Sequence, residues 1–143
     1  MRIGMILDKT FPPDSRVENE ARSLVDAGHE VFLWCLHYGE QKGEEQINGI
    51  EVRRYKSNKI EYKLSALAYT FGAYHRLMRP KIKHFIKKYN IEALHIHDMA
   101  IAEAVFSINQ KLKLPVVLDL HENRPAIMRH YGHVKSLKGR LLI

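Results

Sequence analysis

Short apolar runs alternate with helical patterns along this chain, and that alternation limits its possible folds more than any other feature. Apolar residues between the runs recur at the three- and four-residue spacing of helices. Strands followed by helices in regular order favour a parallel sheet with right-handed crossovers. The predicted fold class is therefore α/β, a parallel sheet with helices on both faces. The predicted strands are Arg2–Leu7, Glu30–Leu36, Gly49–Tyr55, Ile91–Ile96 and Val116–Leu120.

The first predicted helix begins at Asp14 or Ser15, either of which is a favoured N-cap residue, and it ends at Gly28. The polar segment 37–48 is predicted to be a loop. Pro80 is predicted to start a new helix, because proline is favoured in a first helical turn. The remaining helical patterns are a stripe from Leu64 to Met78, one from Ile82 to Tyr89, Met99–Leu112, and a short segment around Ala126–Tyr131.

Composition places the chain among ordinary single domains. Its 143 residues are 45% hydrophobic and 27% charged, which is enough to form a buried core. The one cysteine, Cys35, lies in an apolar run, so it is interpreted as a small buried hydrophobic residue. A chain without a disulfide framework, a signal peptide or a run of ~20 apolar residues is expected in the cytoplasm.

Positive charge is concentrated in residues 56–90, which carry nine Lys/Arg and one Glu. One interpretation is that these cations are only the solvated faces of two helices. The other is contact with an anionic membrane surface, because Tyr62 and Tyr74 lie in an aromatic and aliphatic stripe flanked by cations. The second interpretation would place the protein at the inner face of the membrane. Nucleic acid is not expected as a partner, because the stripe suits an amphipathic helix better than a base-stacking surface.

Two polar clusters close two of the predicted strands. His95-Ile96-His97-Asp98 ends one strand, and Asp119-Leu120-His121-Glu122 ends the next. Ligands of open parallel sheets bind in the crevice beyond the carboxyl ends of the strands. The two clusters are therefore predicted to face one crevice.

Residues of both clusters, and Arg16 of the first helix, also have a plainer interpretation, in which they serve only the structure. Asp98 is also placed to cap the helix that follows it. His95 is equally suited to hydrogen-bonded packing, and Asp119 to a structural hydrogen bond within its strand. Arg16 is spaced to pair with Glu20 on the first helix.

Metal chemistry is a further alternative for the same clusters. Imidazole and carboxylate suit several divalent ions, so a metal-dependent hydrolase using the HxHD and DxHE clusters stays open. Its ligands would be His95, His97, Asp98, His121 and Glu122. Another alternative is a non-catalytic ligand-binding α/β domain. No metal is predicted, because no further residues complete a ligand set at familiar spacing. No cofactor is predicted either.

Four stretches of the chain resemble the N-terminal, acceptor-side domain of GT-B glycosyltransferases, specifically glycosyltransferase family 4. The segment 11–21, Phe-Pro-Pro-Asp-Ser-Arg-Val-Glu-Asn-Glu-Ala, is similar to a PxDxRVxxEA start. Gly49-Ile50-Glu51-Val52 is similar to the dGvxV strand. His95–Asp98 resembles the HxHD loop, and residues 116–122 resemble the vxDxHE strand end. The order and spacing of these stretches make the resemblance specific, and it spans nearly the whole chain.

The resemblance implies a Rossmann-like α/β fold and one half of a two-domain enzyme. Such enzymes hold a nucleotide-sugar donor in a C-terminal domain and the acceptor, a glycan or a lipid-linked molecule, in the N-terminal domain. They transfer the sugar with retention of configuration and generally without a metal. Residues 1–143 are therefore expected to be a single, truncated acceptor-binding domain, without its donor-binding domain and inactive alone. The apolar, basic ending at Ile143 also suggests a fragment.

Residue roles follow from the resemblance and from side-chain chemistry. The second histidine of the HxHD loop lies by the transferred sugar in this family, so His97 is the expected catalytic group, and an imidazole pKa near ~6.5 keeps both protonation states accessible. Family members often have a Gly-Gly turn near the donor diphosphate, where this chain has Pro-Pro-Asp-Ser-Arg, so Arg16 is expected to replace it. The expected substrate-binding residues are Lys9, Thr10, Asp14, Arg16, Asp98, His121 and Glu122.

Overall fold

The computed structural model describes residues 1–66, 68 and 72–120. These residues form a six-stranded sheet in the order β3-β4-β2-β1-β5-β6. All strand pairs are parallel except β3 with β4. The strands are β1 (Arg2–Thr10), β2 (Glu30–His37), β3 (Glu44–Ile47), β4 (Ile50–Lys56), β5 (Ala93–His97) and β6 (Val116–Asp119). The helices are α1 (Ser15–Asp26), α2 (Lys59–Ala66), α3 (Ala73–Lys88) and α4 (Met99–Leu112).

The structure confirms the predicted fold class and all five predicted strands. The segment 37–48 is not wholly a loop, because β3 pairs antiparallel with β4 and forms the edge of the sheet. The turn between them is Asn48-Gly49, with φ of 50° and 81°. Positive φ at both central residues is the geometry of the type I′ hairpin turn that Asn-Gly favours. The dipeptide carried the signal for this hairpin.

Two apolar layers cover the two faces of the sheet. On one face, α1 packs through Val17 and Ala21 against odd-numbered residues of β1 and β2, such as Met5 and Leu33. On the other face, α2, α3 and α4 pack against alternate residues such as Trp34. Neighbouring residues of a strand point to opposite faces, so one strand supplies both layers. We call these the α1 face and the α3–α4 face.

The α3–α4 face is packed closely at Gly4. A Cβ at this position would lie 2.8 Å from Cγ2 of Ile91 and 3.1 Å from Phe85. Real Cβ atoms do not approach their neighbours this closely, so a larger residue would push α3 off the sheet. Glycine at this position of β1 allows α3 to lie directly against the strand.

The prediction that Pro80 starts a helix is wrong, because Pro80 lies inside α3. Proline there removes one backbone hydrogen bond and is normally unfavourable in a helix interior. The helix continues because its other side is buried in the core, through residues such as Met78 and Ile82, while Pro80 itself is exposed. Tertiary packing therefore outweighs the local propensity.

The predicted stripe from Leu64 to Met78 spans the end of α2 and the start of α3. Leu67 and Phe71 of that stripe lie outside the described residues, as does the helix predicted around 126–131. Burial of Cys35 raises the pKa of its thiol to about 12, which fits the predicted role of a small apolar residue. No helix in the described part of the chain combines the length and the hydropathy needed to span a membrane.

Candidate functional site

The carboxyl ends of β1, β5 and β6 meet at one edge of the sheet. In the parallel register, Leu7 of β1 lies beside His97 of β5, and His97 lies beside Asp119 of β6. β1 continues past this point to Thr10, which pairs with Leu36 of β2. The described parts of the two predicted polar clusters therefore share one edge, as expected for an open parallel sheet.

A cavity of about 390 Å³ opens at this edge. It contains three of the predicted substrate-binding residues: Lys9, Thr10 and Asp98. The Nζ atom of Lys9 donates to Oδ2 of Asp98 at 2.6 Å, which joins the end of β1 to the start of α4. The described lining residues are Asp8, Lys9, Thr10, Tyr38, Tyr62, Ser65, Asp98 and Ala100. We call this cavity the crevice.

The backbone at Asp98 is unusual. This residue holds the N-cap position of α4, as the plainer interpretation predicted, but its side chain makes no capping hydrogen bond. Its φ of 70° and ψ of 153° lie outside the regions that L-residues normally adopt. Such strain is concentrated at functional sites, where packing forces a side chain into one direction. Here the carboxylate is directed to Lys9 and the crevice.

Two tyrosine rings form part of the crevice wall. Tyr38 and Tyr62 are 44% and 63% exposed, and their rings meet edge to face with centroids 6.1 Å apart. Below them, Tyr74 donates from its hydroxyl to Oδ2 of Asp8 at 3.5 Å, and burial raises the pKa of both Tyr74 and Tyr38. The exposed rings of Tyr38 and Tyr62 offer apolar faces and hydroxyl groups, a combination that suits sugars. The sequence reasoning did not place Tyr38 or Tyr62 in the site.

His97 points away from the crevice lining, toward the α1 face. Its side chain is fully buried, and Nδ1 lies 3.8 Å from Oε2 of Glu20 and 3.8 Å from Oδ2 of Asp119. His95 lies on the same side, with its ring centroid 4.4 Å from that of His97 and its Nε2 3.5 Å from Oε2 of Glu20. We call Glu20, His95, His97 and Asp119 the histidine–carboxylate cluster.

Asp14 and Arg16 lie at the start of α1. Asp14 is the N-cap residue, and its Oδ1 accepts from the backbone N–H of Val17 at 3.2 Å. Its Oδ2 lies 3.9 Å from Nη2 of Arg16. Neither residue is among those described as lining the crevice. Glu20, the alternative partner of Arg16, lies beside the two histidines.

The predicted substrate-binding residues His121 and Glu122 lie outside the described residues. Glu20 was not among the candidate site residues, because its helix is remote in sequence from the strand-end clusters. Asp119 was interpreted as a structural hydrogen-bond partner, and the register places it beside His97. The predicted roles of His97, Asp98, Lys9, Thr10, Asp14 and Arg16 stay predictions about substrate.

Comparison with known proteins identifies the family to which the chain belongs. Residues 13–143 match the sequence model of the Glycosyl transferase 4-like domain. The match covers most of the chain, and the chain belongs to this family. This confirms the resemblance to glycosyltransferase family 4.

Solved structures show the same fold at low sequence identity. The chain is similar to sucrose-phosphate synthase from Thermosynechococcus elongatus, with a TM-score of 0.75 and 12% identity over 99% of this chain. A second structure of that synthase gives a TM-score of 0.64 and 12% identity over 90% of this chain. The chain spans 38% of the first structure and 68% of the second. No curated protein sequence matches the chain significantly.

Proposed function

We propose that this chain is the acceptor-side half of a retaining GT-B glycosyltransferase. It would bind a glycan or lipid-linked acceptor while a second Rossmann-like domain presents a nucleotide sugar. The observation that carries the proposal is the crevice at the carboxyl edge of the sheet, where Lys9, Thr10 and Asp98 meet beside exposed tyrosine rings. Its position fits the ligand crevice of open α/β sheets. Membership of the family supports sugar transfer as the reaction.

Transfer to a hydroxyl needs that hydroxyl held near the anomeric carbon and positive charge near the leaving diphosphate. In this proposal, Asp98 accepts hydrogen bonds from sugar hydroxyls, and Thr10 binds beside it. Lys9, which is half exposed, supplies positive charge at the crevice. Arg16 would approach the diphosphate from the start of α1, with Asp14 holding that end of the helix.

His97 is proposed as the group at the reaction centre, directly before Asp98 in the chain. Because its ring is buried on the α1 face beside the partly exposed Glu20 and Asp119, contact with substrate requires access to the ring past these two carboxylates. A histidine that acts on the reacting groups affects turnover, whereas one that only packs affects stability. The two roles therefore predict different kinetics.

The test is His97→Ala in the full-length protein, with His84→Ala on the exposed side of α3 as the control. We expect kcat to fall by about a hundredfold or more, with KM little changed, in protein that circular dichroism shows to be folded. His84→Ala keeps normal turnover. Normal kcat in folded His97→Ala protein would remove His97 from the reaction centre.

The chain alone is proposed to bind ligand without transferring sugar. Its described residues form one Rossmann-like sheet, whereas GT-B transfer uses two facing domains. Acceptor binding by the 143-residue chain, without turnover of any nucleotide sugar, is the expected result. Turnover by the chain alone would contradict this part of the proposal.

Contact with an anionic membrane is proposed for a groove between α3 and α4. Arg79, Lys83 and Lys87 recur every four residues along α3, and Lys111 of α4 joins them around a cavity of about 630 Å³. Within the described residues, Arg79 pairs with Glu103, but no carboxylate lies within ion-pairing distance of the three lysines. Cations concentrated in this way favour anionic headgroups.

The groove lies at the end of α4 remote from the crevice. Ala100 of the crevice and Lys111 of the groove lie about 16 Å apart along α4, at ~1.5 Å per residue, so a membrane at the groove would leave the crevice accessible. The aromatic stripe gives the membrane interpretation little support. Tyr74 is buried in the core, and Tyr62 lines the crevice. The charged groove therefore supports membrane contact better than the aromatic stripe does.

Vesicle binding tests the groove. We expect the chain to bind phosphatidylglycerol vesicles and not phosphatidylcholine vesicles, and Lys83→Glu with Lys87→Glu to abolish binding. A matched double variant, Arg22→Glu with Lys42→Glu, changes exposed cations elsewhere and should still bind. Equal, negligible binding to both vesicle types would remove the membrane from the proposal.

A further inference from the structure

We propose that the histidine–carboxylate cluster binds a transition-metal dication, with zinc as the best-matched ion. The cluster collects donor atoms from α1 (Glu20), β5 (His95 and His97) and β6 (Asp119). Elements remote in sequence therefore place two imidazoles and two carboxylates in one space. The cluster lies apart from the crevice lining, and it shares His97 with the proposed reaction centre.

The distances within the cluster suit a single ion. One ligand atom from each of the four residues lies within 4.8 Å of all the others. The separation of His95 Nε2 from Glu20 Oε2 is 3.5 Å, and His97 Nδ1 lies 3.8 Å from an oxygen of each carboxylate. Ligands about 2.0–2.1 Å from a tetrahedral zinc ion are roughly 3.4 Å apart. The three pairs measured here need to close by a few tenths of an ångström, and no pair in the cluster is wider than 4.8 Å before an ion draws the ligands together.

The donor types select the ion. Imidazole suits zinc and other first-row transition metals, whereas magnesium and calcium prefer oxygen ligands alone. Two imidazoles therefore favour zinc, and the two carboxylates balance its charge. Glu20 and Asp119 keep 33% and 26% of their side chains exposed, which gives the ion a path to the buried His97. A bound ion would join α1 to the ends of β5 and β6.

The metal alternative drawn from sequence included Asp98 among the ligands. In the structure the Asp98 carboxylate instead pairs with Lys9 at the crevice, and Glu20 and Asp119 lie beside the histidines. A metal bound by this arrangement would link α1, β5 and β6. The proposed role is structural and needs no metal-activated water for hydrolysis. The competing account of the cluster is a set of carboxylate–imidazole ion pairs that binds no metal.

Zinc binding separates the two accounts directly. The full chain, purified without a histidine tag, is stripped with EDTA, dialysed against zinc sulfate and measured by inductively coupled plasma mass spectrometry and calorimetry. We expect about one zinc ion per chain. A cobalt-substituted sample should show the strong visible absorption of tetrahedral cobalt.

The variants use the partly exposed ligands, because replacing the buried His97 risks unfolding the chain. His95→Gln and Glu20→Gln should each weaken zinc binding by about tenfold or more, while their circular dichroism spectra stay like wild type. His84→Ala and Asp26→Asn, which change exposed residues outside the cluster, should bind zinc normally. Substoichiometric zinc in the wild type, or unchanged affinity in either ligand variant, would overturn the proposal. Neither readout depends on transferase activity, so a failure to bind zinc leaves the proposed function intact. Stoichiometric zinc held by His97 would instead remove His97 from the proposed reaction centre.

Discussion

His97 and Asp98 are adjacent in the chain, yet they contribute to two different environments. Asp98 lines the crevice and pairs with the half-exposed Lys9. His97 is fully buried toward α1, between Glu20 and Asp119. Successive residues at a strand end can serve opposite faces of a sheet, so one short motif supplies two chemical settings. The HxHD loop therefore contributes to two separate sites: Asp98 to the crevice and His97 to the histidine–carboxylate cluster.

The first prediction compares these neighbours in equilibrium urea unfolding. His97→Ala should lower the free energy of unfolding by about 3 kcal/mol, because it leaves a cavity beside two carboxylates. Asp98→Asn should cost less than about 1 kcal/mol, because Lys9 is half exposed and its ion pair is screened by solvent. Equal losses in the two variants would break the distinction between the two environments.

The second prediction concerns the closeness of packing on the α3–α4 face. Gly4→Ala should lower the free energy of unfolding by about 1–3 kcal/mol, since its Cβ would meet Ile91 and Phe85. Gly39→Ala, where an added Cβ meets nothing within 4 Å, is the matched control and should have little effect. If both variants unfold at the same urea concentration, α3 is not held as closely to β1 as described.

The third prediction concerns the Lys9–Asp98 pair in the crevice. Lys9→Met should change the free energy of unfolding by less than about 1 kcal/mol, since partly exposed ion pairs contribute little. The same change should weaken binding of substrate by the full-length protein, as measured by calorimetry, because a cation is removed from the crevice. A large loss of stability without an effect on binding would make the pair structural.

The smallest expected effect is at Cys35. Burial raises the pKa of its thiol to about 12, so almost no thiolate is present at pH 8. Ellman's reagent should react with Cys35 only after urea unfolds the chain. Rapid reaction in native buffer would show that the α1 face opens readily at β2.

Periodicity was sufficient to predict the parallel strands, because buried strands and amphipathic helices leave clear patterns in sequence. The edge strand β3 was missed, although Asn48-Gly49 is a strong hairpin signal, because its residues are polar and mostly exposed. Pro80 was misplaced because the burial of one side of α3 outweighs a local rule.

The candidate site was only partly predictable. The polar residues at the strand ends predicted the edge of the sheet at which the site lies, and Lys9, Thr10 and Asp98 do meet at that edge. The positions of Glu20 and of the crevice tyrosines depend on how helices and loops pack over the sheet. No local sequence pattern predicts that packing. The separation of His97 from Asp98 follows from the backbone turn at Asp98, with its φ of 70°.

The most direct test of the account is sugar transfer by full-length protein carrying Asp98→Asn, with Asp26→Asn on the exposed end of α1 as the control. The account predicts that Asp98→Asn lowers kcat/KM by about tenfold to a hundredfold while the protein stays folded, because a charged hydrogen-bond acceptor is lost from the crevice. Asp26→Asn should match the wild type. A kcat/KM for Asp98→Asn equal to that of the control would contradict the assignment of the crevice as the substrate site.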